Sequence, residues 1–147
     1  MGIERYFTRA TNDARRFYFE IPMAAPSFNH VWLQAGRGGA RRLSQEAKTF
    51  YDLARASILG ASLPDDWESC NVRISVAPTR RAGDVDNRIK ATLDALTKCL
   101  FWKDDRVVSS VSCCFEAPRP KGLTRILITR GGEKFPAFDE EQTKGKQ

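Results

Sequence analysis

The sequence predicts an α+β fold: a single domain with a mixed β-sheet, helices packed on one face of it, and the element order β-α-β-α-β-β. The chain has 147 residues, 41% of them hydrophobic, which suits one domain with a proper core. Alternating hydrophobic and polar residues, typical of strands, are interspersed with hydrophobic residues at helical spacing. Because no repeat or linker divides the chain, we expect one domain over residues 1–147 with its core at about 17–130.

The first half of the chain is predicted to contain a strand, a long loop and a helix. Residues 17–21 form a short aromatic run typical of a strand. Residues 23–43 contain glycines and arginines and are predicted to form a loop, and loops of this length are more often functional than idle. Ser44 is suited to cap a helix that continues at helical spacing to Ile58 and ends before Pro64.

The second half alternates a strand, a helix and two further strands. Residues 72–76 alternate in polarity, as do residues 107–115, and a last strand covers about 123–129. The segments 1–14 and 131–147 are expected to be flexible. The helix between the first two of these strands is predicted from four hydrophobic residues on one side: Ile89, Leu93, Leu96 and Leu100.

Composition excludes several classes of protein. No run approaches the roughly 20 apolar residues of a membrane span, and no signal peptide is evident, so we expect a cytoplasmic protein without a membrane partner. The four cysteines form no C-x-x-C pair, and with a single histidine they make a zinc site improbable; buried, reduced thiols are expected. The net charge of +6 suits a polyanionic partner.

Carboxylates gather between residues 84 and 105. Asp84 and Asp86 follow a predicted strand at the beginning of a helix, and Asp104 and Asp105 lie between the end of that helix and the next strand. A short helix packed back on the sheet would bring both groups to one edge. Because like charges raise each other's pKa, such a group favours a bound cation, and Mg²⁺ prefers oxygen ligands. A divalent ion can then activate water for phosphodiester cleavage.

Lys90 lies four residues after Asp86 and therefore on the same face of the helix. Its ammonium would stabilise negative charge that develops on a phosphate, and Asp94, four residues further on, would hold it in place. Structural alternatives remain open. The first two aspartates could cap the helix, the lysine and its neighbours could form a solvent-exposed ladder of ion pairs, and the Asp104–Asp105 pair could be an ordinary turn.

The complete run over residues 84–108 reads D-V-D-N-R-I-K-A-T-L-D-A-L-T-K-C-L-F-W-K-D-D-R-V-V. It resembles the RusA family of Holliday-junction resolvases, whose pattern is D-x-D-N-x-x-K-x-x-x-D-A-L, then an aromatic residue, then D-D-x-x-V. Upstream, the segments P-S-F-N-H-V-W and L-S-Q-E-A-K-T-F-Y are similar to the family's Asn-His-x-Trp and Leu-Ser-x-Glu-Ala segments. The resemblance covers about residues 17–130. Ala82-Gly83, ahead of the first aspartate, departs from the bulkier or more polar residues of many relatives.

The resemblance implies that Asp84, Asp86 and Asp105 are metal-binding catalytic acids and that Lys90 is the catalytic lysine. It also implies a homodimer that requires Mg²⁺, or Mn²⁺ as a substitute, and that resolves four-way DNA junctions in recombination and repair by paired cuts. A C2 dimer suits a junction with two-fold symmetry. Three further residues match motif positions with supporting roles: Asn87, Asp94 and Asp104.

Basic and aromatic residues outside this run are candidates for DNA contacts. The arginines could bind phosphates or simply be solvated, and Phe28 and Trp32 could stack on exposed bases or pack in the core or a dimer interface. His30 could contact DNA or carry a proton, but a structural role in its turn is favoured. Phe101 and Trp102 are assigned to packing that fixes the neighbouring acids. The candidate phosphate-binding arginines are Arg37, Arg41, Arg42, Arg80 and Arg81.

Two other functions are compatible with the same residues. One is a less selective branched-DNA nuclease that uses the same acids. The other is a branched-DNA-binding protein without catalysis, although such a protein would gain nothing from carboxylates that face phosphates.

Overall fold

The computed structural model describes residues 16–34, 39, 41–81 and 83–132, and these contain six strands and two α-helices. No helix in these ranges is long and apolar enough to cross a membrane. The helices are α1 (Gln45–Ile58) and α2 (Asp86–Lys98). The strands are β1 (Arg16–Ile21), β2 (Trp32–Gln34), β3 (Arg41–Leu43), β4 (Cys70–Ala77), β5 (Val108–Phe115) and β6 (Leu123–Arg130).

Four strands form a mixed sheet in the order β1-β6-β4-β5. β6 is antiparallel to both of its neighbours, whereas β4 and β5 are parallel. Parallel neighbours need a crossover connection, and α2 provides it. The predicted α+β class with a mixed sheet is therefore confirmed.

The region predicted as one long loop contains a small second sheet. β2 and β3 pair antiparallel, with Trp32 opposite Leu43 and Gln34 opposite Arg41. The backbone N–H of Ser44 donates to the carbonyl of Val31 at 2.8 Å, which ties this ribbon to the beginning of α1. Strands of three residues are too short for polarity to alternate visibly, so the sequence pattern did not predict them.

Both helices pack on one face of the four-stranded sheet, as predicted. Alternate strand residues such as Phe19, Ile74 and Ile126 are buried in one cluster with Phe50 of α1 and Leu96 of α2. Ser44 caps α1, since its side-chain oxygen accepts a hydrogen bond from the N–H of Ala47 at 3.1 Å. Burial of these apolar stripes stabilises the fold and fixes α2 against the parallel strands.

The predicted end of α2 is wrong in one respect. Leu100 lies outside the helix and is exposed, with a left-handed backbone (φ 59°). The N–H of Leu100 donates to the carbonyl of Thr97, and the N–H of Phe101 donates to that of Leu96, which is a Schellman ending. The reversal buries Phe101 where a continued helix would have buried Leu100. The next strand also begins later than predicted, at Val108, because a 3-10 turn precedes it.

Candidate active site

The beginning of α2 presents two carboxylates to solvent. Gly83, with φ 79°, turns the chain ahead of Asp84, which explains a glycine at this departure from the family pattern. Val85 is the N-cap of α2 and Asp86 its first residue, so neither aspartate caps the helix with its side chain. Both side chains are exposed and form no ion pair within the described ranges. The capping alternative is therefore wrong, and the carboxylates are available to a ligand.

One helical turn further on, Lys90 lies between two other carboxylates. Its Nζ is 3.0 Å from Oδ1 of Asp94 and 3.7 Å from Oδ2 of Asp105. The hydrogen bond to Asp94, with the charges of Asp94 and Asp105, raises the pKa of Lys90 above its usual value. The side chain is 51% exposed. Lys90 therefore stays a cation near neutral pH and cannot act as a general base there.

The turn before β5 gives its two aspartates different roles. Asp104 is the N-cap of a 3-10 turn, because its Oδ1 accepts a hydrogen bond from the backbone N–H of Arg106 at 2.9 Å. Its other oxygen is 3.5 Å from Nε of Arg106. Asp104 thus shapes the turn, and the half-buried Asp105 is presented to Lys90.

The structure does not gather all the predicted acids. Within the described ranges, no three carboxylate, thiol or imidazole side chains lie close enough together to hold a metal ion. Asp94 and Asp105 both pair with Lys90. Asp84 and Asp86 lie apart from them, at the start of the helix. As a donor set, Asp84, Asp86 and Asp105 still fit a hard cation, because all of their ligating atoms are carboxylate oxygens.

Known proteins resemble this chain over most of its length. The family model for endodeoxyribonuclease RusA matches residues 34–129. The crossover junction endodeoxyribonuclease of Enterobacteria phage 82 is 34% identical over 119 residues, which are 79% of this chain and 98% of that protein. Proteins of the same name from Escherichia coli K12 and Shigella sonnei Ss046 match with the same identity and coverage. The chain belongs to the RusA family. The resemblance found in the sequence is confirmed.

Arg88 is a residue of this RusA site that the sequence interpretation missed. Its Nη1 donates to the carbonyl oxygen of Ala25 at 2.6 Å, and its guanidinium lies 5.8 Å from the centre of the Phe115 ring. A Cβ added to Gly83 would lie 3.6 Å from Nη2 of Arg88. Arg88 therefore links the turn at Gly83 to the loop that follows β1 and to the end of β5, and it positions the site without being part of the acid cluster. Its position two residues before Lys90 places it on the opposite side of the helix, which could have indicated this role.

Phe101 and Trp102 anchor the segment that carries the second pair of RusA acids. The Phe101 ring packs edge-on against Phe17 and Phe19, with centroids 5.1 and 5.5 Å apart. Nε1 of Trp102 donates to Oγ1 of Thr97 at 2.7 Å. Both aromatic side chains are buried, so their predicted packing role is confirmed.

The candidate phosphate-binding arginines lie on exposed parts of this RusA chain. Arg41 and Arg42 are adjacent on β3 and therefore point to opposite sides of the ribbon. Arg80 and Arg81 follow β4 shortly before Asp84, and all four are exposed. Phe28 and Trp32 are also exposed, so a place in the core of this chain is excluded for both. Arg37 and the side chain of His30 lie outside the described residues.

Three of the four cysteines, Cys70, Cys99 and Cys113, have thiols that burial keeps protonated near neutral pH. Burial raises the pKa of the Cys70 thiol to about 11 and that of Cys113 to about 12, and it also raises the pKa of Cys99. All four cysteines are free. Cys113 packs against the core while Cys114 is exposed on the other side of β5, so the expectation of buried thiols is wrong for Cys114.

Proposed function

We propose that this chain is a structure-selective endodeoxyribonuclease that resolves four-way DNA junctions by paired hydrolysis of phosphodiester bonds, in recombination and repair. One observation carries the proposal: in a chain of the RusA family, a lysine cation is held by Asp94 and Asp105 one helical turn from the exposed carboxylates of Asp84 and Asp86. The relatives that it matches are named crossover junction endodeoxyribonucleases.

Asp84, Asp86 and Asp105 are the proposed ligands of Mg²⁺, with Mn²⁺ as a substitute. When bound, the ion would supply a polarised water and stabilise charge on the departing oxygen. The exposed positions of Asp84 and Asp86 support this role, since a substrate phosphate can reach them. Asp86 also lies at the positive end of the α2 dipole, which favours negative charge there.

Lys90 is proposed to contact a non-bridging oxygen of the scissile phosphate. Its raised pKa keeps it charged, and a fixed cation stabilises the negative charge that develops in the transition state. Asp94, at 3.0 Å, is the closer of its two partners and orients the ammonium. Asp105, at 3.7 Å, is the more weakly held carboxylate and therefore retains oxygens for a ligand.

A homodimer is part of the proposal, because resolution requires two cuts related by the two-fold symmetry of the junction. The exposed arginines on β3 and after β4 would bind phosphates, so binding should weaken as salt rises. Light scattering of the purified protein tests the dimer: a mass of one chain at micromolar concentration would contradict it.

The decisive experiment incubates the protein with a labelled four-way junction, a flap and a linear duplex of the same sequence, each with Mg²⁺, Mn²⁺ or EDTA. Paired cuts in the junction alone, abolished by EDTA, are expected. Equal cutting of the flap would favour the less selective branched-DNA nuclease. Binding of the junction without any cut would favour a protein that binds branched DNA without catalysis.

A further inference from the structure

A cavity of about 450 Å³ adjoins the turn that carries Asp104 and Asp105. It lies between the loop that follows α1 and the segment between α2 and β5, and Asp104 at its border is the neighbour of Asp105. Its volume falls in the range of about 300–1,000 Å³ usual for pockets that bind small groups. Its lining includes Leu63, Trp67, Leu100, Trp102, Lys103 and Asp104.

Leu100, at the rim of this cavity, is in a conformation that the fold does not favour for leucine. Its φ of 59° is left-handed, and glycine is the usual residue at this position of a Schellman ending. Its side chain is 78% exposed and therefore gains little from burial. Both features cost stability, and Leu100, unlike Leu59 at the end of α1, which shares them, lines the cavity.

The backbone beneath Leu100 is firmly held. Phe101 is fixed against β1, and Trp102 is fixed by its hydrogen bond to Thr97 at 2.7 Å. The exposed leucine therefore stands on a rigid support beside the acids. An apolar side chain on such a support can insert between bases that have lost their stacking.

The chemistry of the cavity favours a nucleobase. Leu63, Trp67 and Trp102 supply apolar walls, and the carboxylate of Asp104 can accept a hydrogen bond from an exocyclic amine. The border carries the cations Lys103 and Arg106 beside the carboxylates of Asp65 and Asp104, and the cations can bind a nucleotide's phosphate. Asp104, which lines the cavity, is the chain neighbour of Asp105, so a nucleotide bound there would lie close to the proposed cutting site.

We infer that this cavity binds a nucleobase that has left the stack of the DNA substrate, with Leu100 packing against it. The inference rests on the proposed function, because it requires DNA at Asp105. It adds a binding site that the acid–lysine motif does not contain.

The chain offers a matched control for Leu100. Leu59, at the end of α1, is also left-handed (φ 49°) and 63% exposed, but it does not line the cavity. Glycine at either position relieves the same kind of backbone strain, so Leu100→Gly and Leu59→Gly should each keep or raise the melting temperature. Only Leu100→Gly should affect DNA, with binding to a four-way junction weakened about tenfold.

The probe is a synthetic four-way junction with 2-aminopurine at the crossover, mixed with the full chain in EDTA so that no cutting occurs. The wild type and Leu59→Gly should raise the 2-aminopurine fluorescence as the base leaves its stack, and Leu100→Gly should not. Equal fluorescence and equal affinity for all three proteins would overturn the inference. If Leu100→Gly does not fold, Leu100→Asn tests the same point, since asparagine tolerates left-handed backbone.

Failure of this inference and failure of the proposed function give different results. A wild type that cuts the junction with Mg²⁺ but leaves 2-aminopurine stacked, and that matches Leu100→Gly in affinity, retains the nuclease function and loses the base site. A wild type that neither binds nor cuts the junction overturns both.

Discussion

Two charged clusters lie on opposite sides of the four-stranded sheet, and their surroundings differ. On the side away from the helices, Arg125 is 4% exposed, forms an ion pair with Glu116, and donates from Nε to the hydroxyl of Tyr18 at 2.7 Å. On α2, Lys90 is half exposed and lies among carboxylates that outnumber it.

The difference indicates what each cluster is for. A buried charge must be paired, because an unpaired one costs several kcal/mol of desolvation, and the buried Arg125 is paired with Glu116. The α2 cluster has surplus negative charge on exposed side chains, which favours binding of a cation and, through it, a phosphate. We therefore expect substitutions in the first cluster to change stability and substitutions in the second to change activity.

The largest expected effect is a loss of junction cutting without a loss of stability, on substitution in the α2 cluster. Asp86→Asn should lower the rate of junction cutting by about a thousandfold or more, because a bound metal ion contributes several kcal/mol to the transition state. Junction binding and the free energy of unfolding should stay close to wild type, since the Asp86 side chain is exposed. Single-turnover cutting, gel-shift binding and urea unfolding measure these quantities. Retained cleavage by Asp86→Asn would overturn the site assignment.

The next effect tests the buried cluster. Arg125→Met should lower the free energy of unfolding by about 3 kcal/mol, because Glu116 and Tyr18 lose their partner. Cutting measured well below the melting temperature should not change. The matched control is Arg55→Met, which breaks an exposed pair with Asp52 (3.2 Å) and should cost less than about 1 kcal/mol. Equal losses of unfolding free energy in Arg125→Met and Arg55→Met would contradict the expectation that the buried ion pair stabilises the fold more than the exposed one.

Lys90→Ala should slow cutting at least about tenfold while leaving the fold intact, because the lysine stabilises developing charge and is half exposed. Lys98→Ala is the control. Lys98 lies on the same helix, with its Nζ 5.4 Å from the centre of the Tyr51 ring, and outside the acid cluster. A rate for Lys90→Ala equal to that of Lys98→Ala would remove the lysine from the mechanism.

The smallest effect concerns alkaline stability. Burial raises the pKa of the Cys113 thiol from 9.0 to about 12 in the folded chain. The protonated Cys113 thiol contributes to the free energy of unfolding below pH 9. This contribution is lost as the pH rises from 9 towards 12, because only the unfolded chain releases the proton in that window.

Urea unfolding under reducing conditions checks this contribution. Between pH 9 and pH 10, the wild type should lose about 1 kcal/mol more than Cys113→Ala. Ser112→Ala, an exposed change on the same strand, controls for the substitution of a β5 residue. If the free energy of unfolding of Cys113→Ala falls with pH as steeply as that of the wild type, this thiol does not titrate as its burial predicts.

The sequence by itself determined the elements of the main sheet, the face that carries the helices, and the segment that holds the site. Strands such as β4 alternate over residues 70–76, and the α2 stripe repeats with the period of a helix, so local polarity is sufficient to identify them. Family membership was likewise readable, because the motif occupies one continuous run, residues 84–108.

Only the tertiary structure decided which of these residues meet. The distance from Lys90 to Asp105 depends on how the chain returns after α2, and the link from Arg88 to Ala25 spans 63 residues. The position of Leu100 was misjudged for the same reason: its hydrophobic character fits the helix stripe, but the chain reverses there so that Phe101 can reach β1. Periodicity indicates which residues are neighbours within one element, whereas these contacts depend on packing between elements. At the end of α2, burial of the larger Phe101 side chain stabilises the fold more than burial of Leu100 would.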